Sequence, residues 1–145
     1  MNIKIKEILS GKGSEVWAVT PDSTVYEAIE MMASKGVGAL AVKSGDRLAG
    51  ILSERDYARK VILKGKSSRE TMVKDIMTTN VVCVSEERKV DECLALMTEK
   101  RIRHLPVLDE GKMIGIITIG DVLKTVIRDQ ENLIGHLEYY IAGKA

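Results

Sequence analysis

The sequence predicts an α/β sandwich (α+β): two copies of one strand-helix-strand-strand-helix unit, related by a pseudo-twofold axis and flanked by short N-terminal and C-terminal helices. Three observations predict it. A shift of 65 residues, as from Asp56 to Asp121, lays Val16–Ile62 on Val81–Ile127 without a gap. Each copy has a stretch of helical apolar spacing, then two apolar runs divided by a polar, glycine-bearing turn. Each copy also ends its last run in a hydroxyl residue with an aspartate three places on, Ser53 with Asp56 and Thr118 with Asp121. A repeat of this length is a whole supersecondary unit whose apolar face needs the other copy.

The elements follow in order. "NIKIKEILS" is a short N-terminal helix, echoed by "TMVKDIMT" ahead of the second copy. Each copy opens on a β-rich run, Val16–Val19 or Val81–Val84. The next helix carries apolar residues at i, i+3, i+4 and i+7: Val25, Ala28, Ile29 and Met32, then Val90, Cys93, Leu94 and Met97. Asp22 or Ser23 is the expected cap of the first, and Gly36 its expected end. Hairpins pair Ala39–Val42 with Leu48–Leu52 and Leu105–Leu108 with Met113–Thr118, around "KSGDR" and "DEGK". A closing helix is expected near Arg55–Leu63 and Val122–Asp129. The divisions are thus 1–63, the N-terminal segment and first unit; 64–72, a linker; 73–130, the second unit; and 131–145, a C-terminal helix. That last helix has Leu133, Leu137, Tyr140 and Ile141 along one side and His136 on its polar flank. Its stripe either covers the core or pairs with another subunit.

Composition narrows the function. The 145 residues suffice for one domain with a sizeable core, and the net charge is +1. That balance gives no pull towards nucleic acid or anionic membrane. Lys60, Lys64, Lys66 and Arg69 cluster near the linker, but no aromatic residues interleave with them, so a solvated linker is expected. No apolar segment is long enough to span a membrane. "MNIKIKEILS" lacks the apolar region of a secretory signal, which makes the cytoplasm the expected location. Cys83 and Cys93 form neither a disulfide framework nor a zinc spacing and read as small buried hydrophobes. Metal arrays, a nucleophile with a paired base, and a P-loop are all missing from the pattern, so no enzyme is expected.

The unit-ending "SERD" and "TIGD", with "RIRHLPVLD" and the helix before it, resemble the CBS domain, whose paired form is called a Bateman module. The resemblance covers nearly the whole chain and is to small stand-alone members without a catalytic domain. It implies a regulatory disc that binds adenosine nucleotides in one or both clefts between its halves, sensing energy or redox state for a regulated partner enzyme. AMP fits the sites; NAD needs room for a second sugar and base; ATP and S-adenosylmethionine stay open. A protein-interaction module with vestigial clefts, or a redox-linked regulator, is the alternative. Paired modules in the family, the exposed helix faces and the terminal stripe together point to a homodimer.

The site residues follow from the chemistry beside that resemblance. One carboxylate accepts both hydroxyls of a ribose, and at a strand-to-helix turn it lies beside free backbone N–H groups that favour phosphate. Asp56 with Ser53 and Asp121 with Thr118 are therefore ribose–phosphate candidates. Either motif alone also reads as a helix-capping box, and the two roles coexist. Arg103 and His104 stand where family members reach phosphate, and the fixed guanidinium fork suits that task. Strand neighbours point to opposite faces, so both reach one phosphate only if the strand starts after His104. The first copy has Gly38 and Ala39 there, and Ala41 for Pro106, which leaves the two sites unequal. The adenine end is expected from Val16 and Trp17 or from Val81 and Val82. Asp121 would then work with Val16, Trp17, Val37 and Gly38, and Asp56 with Val82, Ile102 and Arg103.

Overall fold

A computed structural model describes residues 1–13 and 16–143. The chain runs through α1 (Ile5–Lys12), β1 (Ala18–Val19), α2 (Val25–Lys35), β2 (Ala39–Ser44), β3 (Arg47–Ser53), α3 (Glu54–Tyr57), α4 (Val73–Ile76), α5 (Val90–Lys100), β4 (His104–Asp109), β5 (Lys112–Thr118) and α6 (Ile119–Ile141). The first copy makes a three-stranded sheet in the order β1-β2-β3, and the second a two-stranded sheet, β4-β5. Strands β3 and β5 pack on each other between the copies.

The repeat holds in detail. Both hairpins are antiparallel, and both slip register at the matching place, between Val42 and Lys43 and between Val107 and Leu108. The opening strands are not matched. β1 pairs in parallel with β2, but the strand expected over Val81–Val84 is reduced to a single bridge from Val84 to Val107. Val81 and Val82 turn to line a cavity instead. Helix α2 is capped by Thr24, whose side chain accepts from Glu27 N–H, and not by Asp22 or Ser23. Asp22 pairs with Lys74 at 3.2 Å, and Ser23 Oγ accepts from Thr20 N–H. Gly36 ends α2 in the left-handed conformation, as expected.

The cores show an exchange. Ile5 and Leu9 of α1 are buried with Val84, Val90, Leu105 and Ile117 of the second copy. Val73 and Ile76 of α4 are buried with Val25, Leu40 and Leu52 of the first. Each leading helix therefore completes the other copy's core. The backbone bonds repeat the symmetry: Ile5 and Lys6 donate to Arg88 and Glu86, and Val90 donates to Ile3. Val73 and Lys74 donate to Ser23 and Pro21, and Val25 donates to Thr71. Fully burying a side chain such as Ile5 or Val73 contributes about 1.5–3 kcal/mol.

The closing helices diverge. α3 runs into a wider π-helical turn over Ala58–Ile62, and the chain reverses at Gly65, φ 66°. Gln130 stands at the matching place in the second copy. There α6 continues without a break to Ile141, so no separate helix begins at residue 131. The linker is less solvated than expected. Tyr26 N–H donates to Ser68 O, Arg69 lies 3.9 Å over the Tyr26 ring, and Thr71 is buried.

Candidate functional site

A cavity of about 620 Å³ lies between the copies, within the range of small-molecule sites. Ser53, Asp56 and Gly38 of the first copy line it, with Val81, Val82, Ile102, Arg103 and His104 of the second. The expected grouping of Asp56 with Val82, Ile102 and Arg103 is thus one continuous surface. Capping builds its acidic end. Ser53 is the N-cap of α3, and its Oγ accepts from Asp56 N–H at 3.2 Å. Asp56 Oδ2 accepts from Ser53 N–H at 3.0 Å. Its Oδ1 meets Lys60 at 3.1 Å and Thr78 Oγ1 at 3.4 Å. The carboxylate is buried yet fully supported.

The basic end comes from the start of β4. The strand begins at His104 itself, opposite Thr118. The condition for both side chains to reach one phosphate, a strand starting after His104, is therefore not met; Arg103 lies just ahead of the ladder, and both residues line the cavity. Arg103 O accepts from Ile119 N–H at 2.9 Å, which fixes the backbone there. Burial, with Lys12 and Arg103 nearby, lowers the His104 pKa below its usual 6.5, so the ring is neutral at pH 7.

The second grouping is divided. Gly38 lines the Asp56 cavity because Ala39 pairs with Ser53 and Gly38 O accepts from Glu54 N–H. Trp17 packs at the edge of the first core with Lys35 over its ring at 4.2 Å, and Val37 packs on the same core. Val16 is partly buried ahead of β1. None of these three is among the residues lining the cavity. Thr118 and Asp121 form the same capping box as Ser53 and Asp56, but Asp121 Oδ2 also accepts from Lys12 Nζ at 2.6 Å. Burial alone would raise the Asp121 pKa; the Lys12 ammonium and the Thr118 N–H outweigh it and hold the carboxyl below its ordinary 3.8. Lys12 Nζ also donates to Ile116 O at 3.0 Å. Ile116 matches Ile51, whose carbonyl accepts from Thr78 N–H at 2.8 Å. Where the first copy meets an extended segment, the second meets a helix end carrying a lysine.

Several lining residues carried no prior role. Glu54, Arg55, Thr78, Asn80 and Arg101 all face the cavity. The alignment of Gly36 with Arg101 holds a signal for the last, since a helix-ending glycine there is replaced by a cation. Cys93 is fully buried and Cys83 half-buried. Burial pushes both thiols up, away from reactivity. Among the described residues no group of three His, Cys, Asp or Glu side chains is placed to hold a metal, and no helix is long and apolar enough to cross a membrane.

A duplicated unit that encloses a ligand-sized cleft between its copies, with a carboxylate at one end and guanidinium groups at the other, defines a two-unit module of the regulatory type. The family model for the CBS domain matches residues 5–63 and 73–128, and the chain belongs to that family. It is similar to the CBS domain-containing protein CBSX3, mitochondrial, of Arabidopsis thaliana, with 45% identity over 139 residues, 92% of this chain and 67% of that protein. It is similar to a solved protein with CBS domains from Burkholderia ambifaria MC40-6, at 53% identity and a TM-score of 0.84 over 88% of this chain and 96% of that one. A CBS domain pair solved in complex with 5′-methylthioadenosine and S-adenosyl-L-methionine shares the fold, with a TM-score of 0.79 at 23% identity over 89% of this chain and 99% of that one.

Proposed function

We propose that this chain is a non-catalytic regulatory module that binds an adenosine nucleotide in the Asp56 cleft and passes that state to a partner enzyme. One observation carries the reading: a single cavity joins Ser53 and Asp56 of one copy to Val82, Ile102, Arg103 and His104 of the other. Asp56 accepts from the ribose hydroxyls in place of the Lys60 and Thr78 contacts on its Oδ1, with Ser53 beside it. Val81 and Val82 provide an apolar wall for the base. Arg103 takes phosphate by its planar fork of donors, with neutral His104 as a further hydrogen-bonding group. AMP supplies all three parts; ATP and NAD share them. The fold is one in which another CBS pair holds adenosine compounds, and the assignment to this chain rests on the residues of its own cleft. Each carboxylate already meets a lysine, Lys60 or Lys12; the Asp121 end is the weaker site because Thr118 and Asp121 are not among the residues lining the cavity.

We also propose a homodimer. The outer half of α6 leaves Leu133, Leu137, Tyr140 and Ile141 between 53% and 82% exposed, so the stripe does not fold back on its own core. An apolar face of this kind marks an interface more often than a bare surface.

Titration calorimetry with AMP tests the nucleotide reading. Asp56→Asn keeps the shape and removes the charge; the expected result is an affinity loss of about tenfold or more, as for a hydrogen bond to a charged group. Unchanged affinity would refute the ribose assignment.

A further inference from the structure

The two copies end their first long helix in the same left-handed turn, but not with the same residue. α2 closes on Gly36 at φ 65°, ψ 36°. α5 closes on Arg101 at φ 56°, ψ 44°. That backbone region is open to glycine and strained for a residue with a Cβ. Closing the helix does not require the arginine side chain. In both copies the cap N–H donates back into the helix, from Gly36 to Met32 O and from Arg101 to Met97 O. A side chain held in such a turn points to a use for that side chain.

Its surroundings indicate the use. Arg101 lines the Asp56 cleft, two residues before Arg103, and Arg55 of α3 lines it too. None of the three makes an ion pair among the described residues. Of the two lining carboxylates, Asp56 is already met by Lys60. The cleft therefore presents more guanidinium groups than one phosphate engages, and each is a fork suited to two phosphate oxygens.

We infer that Arg101 is a specificity-determining residue holding a second phosphate, so that the cleft prefers an adenosine nucleotide with a pyrophosphate to a monophosphate. This rests on the adenosine reading above. Arg103 takes the phosphate nearest the ribose, and Arg101, exposed at the rim, takes the next.

Calorimetry on the full chain with AMP, ADP and NAD tests it, using wild type, Arg101→Gly and Arg101→Gln, with melting curves of the unliganded proteins. The wild type is expected to bind ADP or NAD about tenfold or more tighter than AMP, the size of one charge-assisted hydrogen bond. A preference for either pyrophosphate supports the inference, and the two arms separate a terminal from a bridged one. Both variants lose that preference and keep AMP affinity. Arg101→Gly also melts no lower than wild type, since glycine takes the turn without strain. Equal loss for all ligands, or no loss, would reduce Arg101 to a helix cap while AMP binding left the adenosine reading standing. A wild type that bound no adenosine compound would overturn both.

Discussion

Gly50 and Gly115 occupy the same place in the two copies, and an added methyl group meets different obstacles in each. At Gly50 a Cβ would lie 2.7 Å from Thr78 O, a backbone atom, and 3.0 Å from Met77 Sδ. At Gly115 it would lie 2.6 Å from Leu9 Cδ2, the tip of a side chain. Relieving the first contact to an ordinary 3.4 Å moves the Thr78 backbone by about 0.7 Å. That segment is held by two bonds, Ile51 N–H to Thr78 O at 3.0 Å and Thr78 N–H to Ile51 O at 2.8 Å. Losing them costs about 1–3 kcal/mol, and overpacking carries a similar cost. Replacing glycine in a strand returns about 0.5–1 kcal/mol. Gly50→Ala is therefore expected to lose about 3 kcal/mol, or about 6–12 °C in Tm for a chain of this size. Gly115→Ala is expected to lose about 0–1 kcal/mol, because Leu9 can change rotamer. Differential scanning calorimetry and urea titration measure both. Thr78 lines the cleft and donates to Asp56, so Gly50→Ala is also expected to weaken the AMP binding proposed for that cleft. If Gly115→Ala proved as damaging as Gly50→Ala, the distinction between backbone and side-chain obstacles would be wrong.

Lys12→Met is expected to raise the Asp121 pKa, since burial is then opposed only by the Thr118 bonds. The Asp121 contribution is present above its ordinary 3.8 and is lost as pH falls through the lower folded value. The variant should therefore lose up to about 1 kcal/mol at neutral pH for a partly exposed pair and converge on wild type in acid; a gap that stayed constant down to acid pH would show no such linkage. Leu137→Glu places a charge in the exposed stripe of α6 and is expected to halve the mass seen by light scattering while leaving the melting of the fold nearly unchanged. A wild type that is already monomeric at tens of micromolar would remove the dimer.

What could be read from the sequence was local or repeated. The hydroxyl-x-x-aspartate caps, the Gly36 stop and both hairpins rest on short-range chemistry, and duplication raised the caps and the hairpins above chance. What could not be read was nonlocal or held in backbone angles. The leading helices match at a spacing of 68, as from Ile5 to Val73, while the units match at 65. A gapless alignment does not carry that offset, and neither spacing says which core a helix enters. The Lys12 contact joins residues 109 positions apart. The left-handed angle of Arg101 is invisible in letters, although the glycine opposite it was not. The expected start of a separate helix at residue 131 has no local basis, because nothing in "IRDQENL" stops a helix.

The exchange of leading helices also sets a schedule. On the ribosome α1 emerges first, yet the residues that bury Ile5 and Leu9 extend to Val122. At about 5–20 residues per second, the first-made helix waits on the order of 5–20 s for its partners. Through that interval the first copy can close only once Val73 and Ile76 arrive, and α1 hangs outside it, apolar and unsatisfied. The chain therefore folds as a loop whose beginning must be caught by its end, and a break between the copies would leave neither half with a complete core.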